Sequence, residues 1–513
     1  MATTARTSEP RCYDLPAAAL LIAGAVFVVL LATSGRYGYF RDTLYYLACA
    51  RHLAWGYVDQ PPLVAGLVWL VSHTLGTSLA ALAVAPALAD AGLVLLTAAL
   101  ARELGGGRFA AALAALAAAC APVYWVEGRQ LSMNIFEPLL WMGCLFVVIR
   151  IVKTDDQRLW LWFGALAGIG LENKYSIGVF GAGVIAGLLL TGERRAFAEK
   201  WLWLGGLIAL GIFAPNLIWN LRHHWPFFEL MHNIRASGRD IRLGPAAYWL
   251  TQILMVSPVN ILLWLPGLAW LYGARQGRFR VLAWTFVFTA GIFMALHGKD
   301  YYTAPVYPIL LAAGAVAAEA ASAARRWIRP ALAGMLVLLT APLLPIVVPF
   351  YATPAGYLRF VARLPFPLPR TEAGHESSPL PQFFADELGW QQMTAEVARA
   401  YNALPPAARA DTAIFAGNYG EAGAIDFFGP RYGLPPAISG HQSYFLWGPR
   451  GYTGARMIAM SGDRAQWLRL YRRVTQAGTK DVPYALERGP IWLCEDPRGW
   501  SLQATWPRWK HWD

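Results

Sequence analysis

Apolar positions along this chain come in long unbroken runs, not in the alternation of a half-buried strand or the single stripe of a surface helix. A helix that crosses a bilayer needs roughly 17 to 25 such residues. About eleven runs approach that length, near 16–33, 78–101, 109–125, 134–152, 159–172, 176–191, 201–220, 249–272, 280–296, 303–322 and 330–350. The fifth and sixth are short and are separated by Glu172, Asn173 and Lys174. The first has the basic start of a signal peptide, but no small-x-small cleavage site follows, which predicts a retained helix.

After Phe350 the pattern changes to a Pro-rich stretch at 364–370 and then a polar-apolar mixture without a spanning segment. This predicts a mainly α, polytopic membrane domain over 1–350 and a soluble α/β domain over 351–513. Within the second, 412–416 and 490–494 read as strands, and 419–427 as a helix after a tight turn. Gly417, Gly420 and Gly423 faintly echo a nucleotide loop, but the better reading is turn and packing glycines.

Composition agrees with a membrane protein: 57% of the 513 residues are hydrophobic and 14% are charged. The net charge of +12 would suit a nucleic-acid binder. The basic residues sit instead in alternate short loops: Arg102 and Arg108; Arg150, Lys153 and Arg158; Arg194, Arg195 and Lys200; Arg275, Arg278 and Arg280; Arg325, Arg326 and Arg329. The positive-inside rule places these loops and the N-terminus in the cytoplasm, and an odd number of crossings puts 351–513 on the periplasmic side of an inner membrane. Nucleic acid is excluded as a partner, and membrane lipid is expected. The five cysteines, Cys12 among them, show no spacing of a disulfide framework or zinc cluster.

Candidate chemistry lies on the outer side. The first outer loop, 34–77, carries Asp42, Tyr45 and Tyr46, then Gly56-Tyr-Val-Asp59-Gln-Pro-Pro. Two carboxylates among aromatics at a membrane face suit a base and a metal ligand. Asp42 equally suits a cap of the amphipathic stretch 43–55, and Asp59 the start of a turn before Pro61.

Lys174 and Lys299 oppose the positive-inside trend, so each needs a reason to lie outside, such as a phosphate at the membrane surface or pairing with Glu172 or Asp300. The second outer loop, 221–248, holds His223, His224, Glu229, His232 and Arg235; a helix there would set Glu229 and His232 on one face. Glu137 precedes Pro138 and either lines a cavity or opens a helix.

Taken in order, Asp42-Thr-Leu-Tyr-Tyr, Gly56-Tyr-Val-Asp59-Gln-Pro-Pro-Leu, Pro215-Asn-Leu-Ile-Trp219 and Gly298-Lys299-Asp-Tyr-Tyr302-Thr-Ala-Pro305 resemble segments of the dolichyl-phosphate-mannose protein mannosyltransferase-like family. This is glycosyltransferase family 39, the bacterial GT-C branch that includes aminoarabinose and rhizobial galacturonosyl transferases. The resemblance covers about the first 350 residues. It implies inverting transfer of a sugar from a polyprenyl-phosphate donor to a lipid, glycan or protein acceptor at the periplasmic face.

By this similarity Asp42 is the catalytic carboxylate. Lys174, Lys299 and Tyr302 match positions near the donor phosphate. Tyr45, Glu137 and Arg235 are expected, from their place on the outer side, to line a possible substrate cavity. The resemblance also implies a divalent metal ion shared by Asp59 and His232. Thr43 and Gln60 depart from the pattern of the aminoarabinose enzymes and argue against that sugar. A flippase for a lipid-linked saccharide and a non-catalytic assembly subunit are the rival readings. A flippase would show inverted repeats and broken helices near the midplane, whereas the charges here gather at the outer edge. Aromatics of the tail such as Tyr444 and Trp447 can stack on sugars or simply pack; no tail residue is expected to be catalytic.

Overall fold

The computed structural model describes residues 15–237, 243–365 and 378–512. Cys12 and most of the Pro-rich stretch at 364–370 lie outside them. The fold is mostly helical, with one small sheet near the C-terminus. Two compact units emerge, the first made of Met1–Ser34, Ala83–Ala214 and Arg242–Phe350, and the second of Gly35–Leu82, Pro215–Ile241 and Tyr351–Asp513.

Among the described residues, four helices are long and apolar enough to cross a membrane: Leu79–Glu103, Lys200–Arg222, Asp300–Ala321 and Ile328–Val347. Up to seven spans result if each of three bent pairs counts as one. The eleven runs read from the sequence differ from this because several are broken or short. Run 109–125 bends by 65° before Pro122, and run 249–272 falls within a pair bent by 99° before Pro258. A proline closes a helix at the residue before it. Runs 159–172 and 176–191 become helices Trp160–Asn173 and Ile177–Leu189, of 14 and 13 residues.

The first unit is held by one large apolar core in which Trp141 stacks on Phe180 at 4.7 Å. Two basic residues of the predicted cytoplasmic loops, Arg150 and Lys153, close on the buried Glu103 at 2.9 and 2.6 Å.

The second unit centres on a four-stranded sheet of order β1-β2-β4-β3, with β1 (Thr412–Phe415), β2 (Arg456–Ala459), β3 (Tyr471–Lys480) and β4 (Gly489–Pro497). β1 and β2 are parallel, and the other pairs antiparallel. The predicted strands at 412–416 and 490–494 and the helix at 419–427 correspond to β1, β4 and helix Tyr419–Phe428.

Residues 34–77 are not an open loop: they form helix Arg41–Arg51 and helix Leu63–Thr74, the latter with 12 apolar-rich residues, too few to span a bilayer. Gly56 brings the first two motifs onto the third, because a Cβ there would lie 2.5 Å from the Trp219 ring, while the Asn216 amide donates to the Trp55 carbonyl at 2.7 Å.

Helix Tyr419–Phe428 rests directly on helix Arg41–Arg51 through Gly423, where a Cβ would stand 2.9 Å from the Leu44 backbone. Backbone cannot move aside as a flexible side chain can. Gly423→Ala is expected to destabilise the protein by about 1–3 kcal/mol, read as a lower midpoint in detergent denaturation. An unchanged midpoint would mean that the two helices are free to separate.

Candidate active site

Asp42 occupies the first turn of helix Arg41–Arg51, where a carboxylate favours the positive end of the helix. Its side chain is about one-third exposed. Tyr419 donates its hydroxyl proton to Oδ1 at 2.7 Å, and the Arg41 guanidinium stands 3.9 Å from the same oxygen. Among the described residues Oδ2 has no partner, so the carboxylate is anchored through one oxygen and presents the other.

Arg41 also reaches the buried Asp386 at 3.7 Å, and burial, only partly offset by Arg41, pushes that carboxyl up to about 6.

Tyr45 lies one turn further along the helix and is fully buried, not open to a cavity. Its hydroxyl lies 2.9 Å from Asp59 Oδ1 and 2.7 Å from Ser443 Oγ. Tyr45 has one proton and donates it to Asp59, so the Ser443 hydroxyl donates to Tyr45, while the Val58 N–H donates to Ser443 at 3.2 Å.

Desolvation raises the Asp59 carboxyl to about 7, against the Tyr45 hydrogen bond that lowers it. A carboxyl raised on folding contributes stability that is fully present below the ordinary carboxylate range and is lost as pH rises through the folded value. Native stability should therefore fall between pH of about 4 and about 7. In Asp59→Asn that fall should be shallower but not abolished, since burial also raises other carboxyls of the same unit, Asp386, Glu421 and Asp426 among them. Identical pH slopes in urea titrations would show that Asp59 is ionised throughout.

The predicted helix around Glu229 and His232 forms as Pro226–Ser237. Lys510 takes the Glu229 carboxylate at 2.6 Å, and His232 and Arg235 are exposed. Among the described residues no three His, Cys, Asp or Glu side chains gather as a metal cluster. Asp59 and His232 supply at most two donors, fewer than the three protein ligands of a typical catalytic zinc site, and Asp59 already accepts from Tyr45. A divalent ion held by these two side chains would have to complete its shell with water or substrate oxygens.

In the first unit a second cluster surrounds Lys174. Its ammonium donates to Glu137 at 3.0 Å and to Asn134 at 2.9 Å, and it stands 4.5 Å from the Tyr302 ring centroid and 5.2 Å from that of Tyr301. Ser176 donates to the other oxygen of Glu137. Lys174 and Glu137 are both more than nine-tenths buried. Glu137 and Tyr301 also border a cleft about the size of one water molecule.

Lys299 is half-buried at the start of the turn of helix Asp300–Val306 that carries Tyr302. Glu172, offered by the sequence as a partner for Lys174, is buried and has none among the described residues. Asp90 lies buried in the middle of helix Leu79–Glu103, inside an apolar run that gives no sequence signal for it, and its Oδ2 has no partner among the described residues.

Residues 59–219 match the family model of dolichyl-phosphate-mannose-protein mannosyltransferase. Two solved structures share the fold of nearly the whole chain: ArnT from Cupriavidus metallidurans bound to undecaprenyl phosphate, at TM-score 0.59 and 15% identity, and the same protein in the apo state, at TM-score 0.55 and 16% identity. Each alignment covers 92% of this chain and 97% of ArnT. A search of the curated proteins finds no match. The family match and the shared fold agree with the resemblance read from the motifs: this is a multi-pass membrane protein with the GT-C glycosyltransferase fold.

Proposed function

We propose that the protein transfers a sugar from a polyprenyl-phosphate donor to a hydroxyl of a lipid, glycan or protein acceptor, with inversion, at the periplasmic face of an inner membrane. The observation that carries this reading is the Asp42 carboxylate, fixed through Oδ1 and free at Oδ2, in a chain with the ArnT fold. Oδ2 takes the proton of the acceptor hydroxyl as its oxygen attacks the anomeric carbon. The bond from that carbon to the phosphate oxygen breaks, and the electron pair leaves with the polyprenyl phosphate.

Lys174, Lys299 and Tyr302 stabilise the charge that collects on that phosphate. Lys174 is held by Glu137 and Asn134 with the Tyr301 and Tyr302 rings beside it, so a donor phosphate that binds it exchanges for one of these contacts. Undecaprenyl phosphate, the ligand of the similar ArnT structure, supports a carrier of that class. The test is incorporation of labelled sugar into cell-envelope fractions from a panel of undecaprenyl-phosphate sugars and from nucleotide sugars. Transfer from the lipid-linked sugars alone, with the opposite anomeric configuration in the product by NMR, is the expected result. Direct use of nucleotide sugars would overturn the reading.

A further inference from the structure

We infer that Tyr419, contributed by the C-terminal tail, is a positioning residue for the reaction: its hydroxyl fixes the Asp42 carboxylate so that Oδ2 is the oxygen that meets the acceptor. The inference rests on Asp42 being the base.

The contact spans 377 positions of sequence and lies within one compact unit. Tyr419 is the first residue of its helix, immediately after the loop that leaves β1, so the strand and the helix together set where its side chain starts. Its backbone N–H donates to His441 Nδ1 at 3.2 Å. The ring is then held on three sides. His441 stacks on it at 5.1 Å and 20°, Tyr45 lies against it at 4.8 Å, and the Arg41 guanidinium stands 5.4 Å from its centroid.

His441 is itself stacked on His511 at 5.0 Å, and His511 Nε2 is bonded to the Gly417 carbonyl at 2.9 Å, which returns to the loop before Tyr419. A phenol carried at a helix start and packed so closely has little rotamer freedom. A carboxylate that accepts from it loses free rotation about its own terminal bond.

A general base needs both reach and orientation, and orientation is what an ordered hydrogen-bond partner provides. Without that bond Asp42 retains its place at the helix start but turns freely, and its two oxygens share the encounter with the acceptor. Tyr419 touches neither substrate in this scheme, so its loss should slow turnover and leave binding alone. The tail is thus part of the catalytic machinery even though it supplies no reacting atom.

The test compares Tyr419→Phe with Asp42→Asn and the native chain at matched expression, in transfer of labelled sugar from undecaprenyl-phosphate sugars to envelope acceptors. Phenylalanine retains the ring, its stacking and the Arg41 contact, and removes the hydroxyl alone. Tyr419→Phe should lower kcat by about tenfold to a hundredfold with KM for donor and acceptor within about twofold, while its thermal midpoint stays near native.

Tyr419→Leu, which also removes the ring, should lower both kcat and the midpoint, separating packing from orientation. Loss in Asp42→Asn with a native kcat in Tyr419→Phe would overturn the inference alone, as would a rise in KM at native kcat. Native rates in both, or no turnover by the native chain, would overturn the role of Asp42 and this inference with it.

Discussion

Asp42→Asn is expected to lower transfer by about a hundredfold to ten-thousandfold, the range a positioned general base contributes, with the protein still folded. Asparagine retains the size of the side chain and, through its amide oxygen, can still accept from Tyr419. What it loses is the capacity to take a proton from the acceptor hydroxyl. The first-turn position contributes only a few tenths of a kcal/mol to about 1 kcal/mol through the helix dipole, so the cost in stability is small. A variant with native turnover and native stability would reduce Asp42 to a helix-start residue, the alternative its sequence position allows. The comparison is read as initial rates at saturating donor.

Removing Glu137 should strongly destabilise the first unit. Glu137→Ala leaves the Lys174 ammonium more than nine-tenths buried without its ion partner, a loss of about 3–5 kcal/mol for a broken buried pair. Lys174→Met alone leaves Glu137 with Ser176 as its remaining hydrogen-bond partner among the described residues and should cost a similar amount. Replacing both by methionine removes two charges together and should recover most of the stability, since well-packed apolar side chains substitute for a buried pair at little cost.

The double variant should still be impaired in transfer, because the ammonium offered to the donor phosphate is gone. Thermal unfolding and the donor KM measured on the four proteins separate these effects. Additive single losses in the double variant would mean that the two side chains do not act as a pair.

The apolar runs read from the sequence located most helices, since unbroken hydrophobicity over such lengths has few other outcomes. The bends did not follow from hydropathy, because Pro122 and Pro258 interrupt helices without interrupting the apolar run. In the tail, β1, β4 and the helix between Tyr419 and Phe428 were legible from short apolar runs and turn residues. β2 was not, although it is as long as β1, and neither was β3, whose ten residues include a register shift between Gln476 and Gly478 that spoils simple alternation.

Lys174 shows how proximity in sequence misleads. Glu172 is its neighbour two places away, but side chains two apart on a helix diverge, and Lys174 is extended at φ −161° and ψ 135°. Its ammonium pairs with Glu137, 37 residues distant.

Tyr419 and Ser443 were invisible as site residues for the same reason in stronger form. A tyrosine and a serine in a polar tail carry no periodicity that points at a carboxylate hundreds of residues upstream. The nearest signal was the glycine spacing of 417, 420 and 423, read as packing, and a Cβ at Gly423 would indeed meet the backbone of the helix that carries Asp42.

The most direct test of the central claim is stoichiometry on the purified chain reconstituted in vesicles with labelled undecaprenyl-phosphate sugar and an envelope extract as acceptor. The account predicts one undecaprenyl phosphate released for each sugar transferred, with Asp42→Asn releasing none above background. Labelled donor recovered intact, whether on its original side of the bilayer or moved to the other, would contradict it.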